Sequence, residues 1–197
     1  MRKVKVSELP ELRAYNQTRD ALRREVIALK ARRRVHLSTL ITMVFENTDT
    51  VRWQITEMMR VERIVTDDAL AHEVNVYNDL VPNVGELSCT MFLELTDEES
   101  MREWLPKLVG IHDSIELVLS DGSRVRGFDP KADRLTRQEV TCAVHYLKFV
   151  FDDEQRRNLT AGRVSIEAVE SIHPLYRERS QLSTTQQLEL HNDLSAA

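Results

Sequence analysis

Two cysteines in 197 residues, Cys89 and Cys142, are too few for a disulfide framework and form no Cys-x-x-Cys pair. Each falls in an apolar run, where a buried thiol is expected rather than a bridge or a zinc site. Glycine is equally scarce. The five present supply no Gly-x-Gly-x-x-Gly loop and no glycine-rich loop ending in Gly-Lys-Ser or Gly-Lys-Thr, which excludes the familiar phosphate cradles. No Gly-x-Ser-x-Gly turn marks a serine nucleophile. Five prolines leave little length for disordered linkers. No eighteen apolar residues run together, and the basic start "MRKVKVSELPEL" has no apolar stretch behind it, so a cytoplasmic chain without a membrane segment is expected. With 27 basic and 32 acidic residues the net charge of −5 argues against broad nucleic-acid binding.

What is present is pattern. Hydrophobic residues at 42% and charged residues at 30% suit a globular protein with a core large enough to need no staples. Leu12, Tyr15, Leu22, Val26 and Leu29 recur at three- and four-residue spacings, which predicts a long helix to about Arg33. Arg19 interrupts that stripe, so it either snorkels or meets a carboxylate on a partner element. Lys30, Arg32, Arg33 and Arg34 then read as a solvated helix end, favoured by the helix dipole. "VHLSTLITMVFE" reads as one strand covered on two sides, and helices are predicted over 50–64 and from Asp67 to near Pro82. From Gly85 the pattern turns to strands: "ELSCTMFLEL", a hairpin at Asp121-Gly122, "EVTCAVHYLKFVF" as the longest, and "RVSIEAVESI" as the last, ended by His173-Pro174. Capping boxes at Thr96 to Glu99 and Asp152 to Gln155 open two intervening helices.

The fold class expected is therefore α+β, with N-terminal helices packed on a mixed or mostly antiparallel sheet; a β-sandwich with peripheral helices is the alternative. A single domain spans 1–180, helical over 8–82 and strand-rich over 85–173, and residues 181–197 form a polar tail or loosely attached helix.

Candidate chemistry is sparse. A di-iron bundle needs Glu-x-x-His on its helices, and none of the predicted helices carries one. His145 shares a strand face with Leu147 and Phe149, as a core histidine does, and His72 points away from its helix's apolar face. No metal and no cofactor is expected. On a helical wheel that starts at Val51, Ile55, Met58 and Glu62 share the apolar arc, so Glu62 is expected to face the core and to be held by an arginine, Arg19 being best placed. Glu57 lies one step from Arg60 as a flanking helix pair.

The segments "LITMVFENTDTVRWQITEMMRVERI", "YNDLVPNVGELSCTMFLEL", "HYLKFVF" and "HPLY" resemble a bacterial family catalogued as a domain of unknown function. The specific matches are Glu46, Asn47, Gln54, Glu57, Met58, Arg60, Glu62, Tyr77, Asn78 and Pro82, and the likeness runs from about Leu9 to the last strand. Glu46, Gln54, Glu57, Arg60, Glu62, Tyr77 and Asn78 are accordingly the candidate site. The resemblance implies genes that often lie beside rubrerythrin-like and iron-sulfur oxidoreductase-like genes, and with them an accessory or interaction protein linked to redox or iron metabolism. A rubrerythrin-like or iron-sulfur redox protein is the partner it implies, and a homo-oligomer is left open. The alternative is an enzyme with a carboxylate-arginine site around Glu57, Arg60 and Glu62.

Overall fold

A computed structural model describes residues 1–64, 66–132 and 139–196. Among them the helices are α1 (Leu12–Arg33), α2 (Thr48–Val61), α3 (Asp67–Asn78), α4 (Glu98–Lys107), α5 (Asp153–Thr160) and α6 (Thr184–Ser195). The strands are β1 (Arg34–Leu37), β2 (Ile41–Phe45), β3 (Glu86–Leu93), β4 (Ile115–Leu119), β5 (Arg124–Phe128), β6 (Val144–Val150), β7 (Ile166–His173) and β8 (Tyr176–Gln181). They form one sheet in the order β1-β2-β3-β6-β5-β4-β7-β8, every pairing antiparallel. The chain is thus α+β. The sheet curls into a nearly closed barrel, and the Tyr176 hydroxyl on one edge strand donates to the Leu37 carbonyl on the other.

Three expectations need correction. The helices that accompany the sheet are not only N-terminal: α4 and α5, which the two capping boxes predict, and α6 lie in the second half. The run "VHLSTLITMVF" is a hairpin rather than one strand, because Ser38 takes a left-handed φ of 59° and reverses the chain, pairing Leu37 with Ile41. "RVSIEAVESI" is not the last strand: the chain turns at Pro174-Leu175 and returns as β8, with His173 paired to Tyr176.

Other local signals hold. Gly122 adopts φ 84° in the β4–β5 turn, and Asp152 and Gln155 cap α5 reciprocally. The cap of α4 is shifted by one residue, with the Asp97 carboxylate accepting from Ser100 N at 2.8 Å. Gly127 serves a different purpose. It sits where β5 pairs with Phe149 of β6, and a Cβ there would lie 2.7 Å from the Phe149 ring. Gly127→Ala is expected to destabilise by about 1–3 kcal/mol through overpacking, measured by urea melts.

Alternate residues of the strands point inward, including Met43, Met91, Leu117, Leu147 and Phe149, and make the main core. Residues 184–195, expected as a loose helix or frayed tail, instead put Leu190 and Leu194 into that core. The attachment runs through Arg33, expected as part of a solvated helix end and in fact 1% exposed. Its Nε donates to the Phe45 carbonyl at 2.8 Å, its Nη1 to Glu189 at 3.1 Å, and its Nη2 to Asp193. A smaller apolar cluster, Val4, Val51, Ile55, Val74 and Val81, fixes α2 and α3 against the N-terminal segment.

Candidate functional site

The outward face of β2, β3 and β6 is where α2 and α3 stand over the barrel. Strand alternation puts Ser88 opposite Lys148 and Thr90 opposite Tyr146 on this face, while Cys89 and Leu147 turn to the other. Glu46 follows directly after β2, its N–H donating to the Ser88 carbonyl at 2.8 Å. Between this floor, Met58 of α2, Tyr77 of α3 and the Pro130-Lys131 segment lies an open cavity of about 250 Å³.

Glu46 is the unusual member. It is 2% exposed, with Oε1 accepting from the Thr90 hydroxyl at 2.6 Å and Oε2 from Gln54 Nε2 at 2.9 Å. Both donors are neutral. Among the described residues no cation forms an ion pair with the carboxylate, whereas the cations on the wall are already matched, Lys148 with Glu86 at 3.5 Å and Lys131 with Asp79 at 2.9 Å. Lys3 donates to the Asn78 and Val81 carbonyls at 2.9 and 2.6 Å, and burial and then Lys148 lower its ammonium pKa. Burial, then the charges of Glu73, Tyr146 and Glu62, raise the Tyr77 phenol, which stays protonated. Burial and then Glu46 push the Cys89 thiol well up, so it is no nucleophile.

The candidate residues separate into three groups. Glu46, Glu62 and Tyr77 line the cavity and Gln54 holds Glu46. Asn78 is structural, its side chain exchanging hydrogen bonds of 2.9 Å with the backbone N–H and C=O of Val4. Glu57 and Arg60 belong to a separate cluster in which Arg19 grips Glu57 with two bonds of 2.8 Å, Arg60 adds one at 3.3 Å and the Tyr15 hydroxyl donates to the same carboxylate. Arg19 and the two hydrogen bonds from Tyr15 and Arg60 outweigh partial burial and hold Glu57 at about 2.

Glu62 does not face the core. Helix α2 ends at Val61, Glu62 is its C-cap, and Arg63 has a left-handed φ of 54°, so the wheel was carried past the end of the helix. The residue is exposed at the cavity mouth, and Arg19's carboxylate is Glu57. Glu62→Ala is therefore expected to change stability by less than about 0.5 kcal/mol in urea melts, not by the loss expected of a broken buried pair.

Serial spacing did not reveal Ser88, Tyr146, Lys148 and Lys131. The available signal was polar residues alternating within apolar strands, Ser88 and Thr90 in β3 and Tyr146 and Lys148 in β6.

A hydroxyl-imidazole-carboxylate series also occurs. Thr141 Oγ1 lies 2.9 Å from His145 Nε2, and His145 Nδ1 lies 3.4 Å from Asp129 Oδ2. All three residues are buried, and none lines the cavity. The Asp129 carboxylate, lowered by His145 and backbone donors against the opposing effect of burial, accepts from Lys131 N at 2.8 Å and Tyr146 N at 3.2 Å, so it fixes two parts of the cavity wall. Among the described residues no group of three histidine, cysteine or carboxylate side chains is placed to hold a metal. Glu170 and His173 have the Glu-x-x-His spacing, but on β7, where residues three apart lie on opposite faces.

A family model described as "Protein of unknown function (DUF3501)" matches residues 3–194. A crystal structure of a novel protein of unknown function from Burkholderia pseudomallei K96243 is similar at 31% identity and a TM-score of 0.89, covering 98% of this chain and 100% of that one. No curated protein matches. Among the described residues no helix is long and apolar enough to cross a membrane.

Proposed function

We propose that this chain, which belongs to the DUF3501 family of proteins of unknown function, is a small-molecule-binding protein whose ligand occupies the cavity over β2, β3 and β6. The observation that carries this reading is Glu46. A carboxylate held 2% exposed on two neutral hydrogen bonds is costly to keep, and its position in a cavity wall gives that cost a use in recognition. The cavity has apolar walls from Met58, Val76 and Leu80 and is polar at a few points, as binding pockets are. The carboxylate-arginine cluster at Glu57 is a clamp between α1 and α2 on this reading, since its groups are already paired with one another.

Val76, 44% exposed on α3, lines the same cavity and tolerates a larger side chain towards solvent. In a fragment screen read by protein NMR, amide shifts are expected to gather on Ser88, Tyr77 and Tyr146. Val76→Trp is expected to weaken those fragments at least tenfold. Shifts confined to other surfaces would contradict the reading.

A second reading retains the accessory role in redox or iron metabolism that the family resemblance implies. Its support is the groove of about 470 Å³ between α1 and α2, where Leu22, Val26 and Trp53 are only partly covered. The comparisons contribute nothing on redox or iron chemistry. Co-purification of a rubrerythrin-like or iron-sulfur protein, lost on Val26→Asp but not on Val76→Trp, is the result that reading requires.

A further inference from the structure

We infer that the ligand of this cavity is a small organic monocation, an amine with an apolar body, recognised by Glu46. This rests on the binding reading and adds the charge and size of what binds.

The charge follows from what the walls leave unmatched. Four carboxylates line the cavity, Glu46, Glu62, Glu73 and Asp79, against two ammonium groups, Lys131 and Lys148. Both lysines already have acidic partners, Asp79 and Glu86. Among the described residues Glu46, Glu62 and Glu73 form no ion pair, and each Glu46 oxygen has one hydrogen bond from a neutral donor, leaving acceptor capacity on both. A carboxylate buried in this way gains most from a cation that arrives with its own N–H donors. An anion would meet three unmatched carboxylates, and among the described residues both lysines that line the cavity are already paired, so like-charge repulsion selects against it.

The class of cation follows from the remaining wall. Tyr77 and Tyr146 lie in it, and aromatic rings attract an ammonium group through their electron-rich faces. Because the Tyr77 phenol stays protonated, it adds no charge of its own. Met58, Val76 and Leu80 offer apolar surface that suits the body of an organic amine and does not suit a hydrated metal ion. At about 250 Å³ the space is below the usual range of ligand pockets, about 300–1,000 Å³, which limits the occupant to a small molecule.

Isothermal titration calorimetry at neutral pH with benzylamine, benzyl alcohol and benzoate tests this, because the three differ mainly in charge. Wild-type protein is expected to bind benzylamine at least tenfold tighter than benzyl alcohol and to give no measurable binding of benzoate. Glu46→Gln is expected to erase the preference for benzylamine while leaving benzyl alcohol binding, which also shows that the variant is folded. The rim double variant Glu62→Gln with Glu73→Gln changes only half-covered or exposed side chains, and is expected to weaken benzylamine severalfold without affecting benzyl alcohol. Benzyl alcohol or benzoate binding as tightly as benzylamine overturns the inference and leaves the binding reading standing. Binding of none of the three overturns both.

Discussion

Arg33→Ala is expected to lower the free energy of unfolding by about 3–5 kcal/mol at pH 8, the cost of stranding the partners of a fully buried charge. The side chain is 0% exposed and joins three elements: the end of α1, the Phe45 carbonyl at the end of β2, and Glu189 and Asp193 of α6. Without it Asp193 and the Phe45 carbonyl lose this donor, Glu189 is left with Arg32, and α6 loses its buried polar attachment. The loss is expected to be smaller at pH 5. Burial pushes Asp193 up to about 6 against the attraction of Arg33, so in the variant the carboxyl takes a proton readily and its stranded charge disappears.

The same shift predicts the wild-type profile. A carboxyl whose folded pKa is raised binds its proton more tightly in the folded state, so its contribution to stability is fully present below the unfolded value of 3.8 and is lost as pH rises through about 6. Asp193→Asn, which keeps an acceptor for Arg33, is expected to flatten that slope. Urea melts at pH 5 and 8 check both variants. A loss below about 1 kcal/mol for Arg33→Ala at pH 8 would mean that α6 is held by its leucines and by the Arg32–Glu189 and Gln186 contacts rather than by Arg33.

Glu57→Ala is expected to cost about 2 kcal/mol, less than Arg33 because the carboxylate keeps 22% exposure and Arg19 27%. The expected loss comes from three groups at once: Arg19, Arg60 and the Tyr15 hydroxyl all converge on this carboxylate. Here the sign is opposite to that of Asp193. The folded pKa is held at about 2 against an ordinary 4.5, so the contribution is present above 4.5 and is lost as pH falls towards 2. Glu57→Gln is expected to remove that acid sensitivity, as read from thermal melts between pH 2 and 5. An unchanged acid limb would show that Arg19 and Glu57 are solvated separately.

Arg19 illustrates what could be read from the sequence. A lone arginine in an apolar helical stripe signals a carboxylate on the facing element, and one is there. The choice between Glu57 and Glu62 turned on where α2 ends. Helical periodicity carries no mark for a C-cap when the left-handed residue is Arg63 rather than glycine. The hairpin within "VHLSTLITMVF" was hidden for a related reason, since its turn uses Ser38 and an apolar Leu40 where glycine or asparagine would have announced it.

The alternation of β3 and β6 was visible as strand, but which face would be covered by α2 and α3, and so that Ser88, Tyr146 and Lys148 would meet Glu46, depends on strand order across the barrel. Pairing of β3 with β6, fifty residues on, leaves no local trace. Arg33 was hidden in plain charge: in "KARRR" the buried arginine and its less covered neighbours are the same residue type, and only the contacts with the Phe45 carbonyl and Asp193 distinguish it.

The central claim is that Glu46 recognises a cation in the cavity, and a crystal structure of the protein soaked with benzylamine tests it most directly. The ammonium nitrogen is predicted within hydrogen-bond distance of a Glu46 carboxylate oxygen, with the ring against Met58 and Leu80 and the Gln54 and Thr90 bonds retained. Benzylamine seated in the cavity with its nitrogen on Asp79 instead of Glu46, or seated in the α1–α2 groove with the cavity unoccupied, would contradict it.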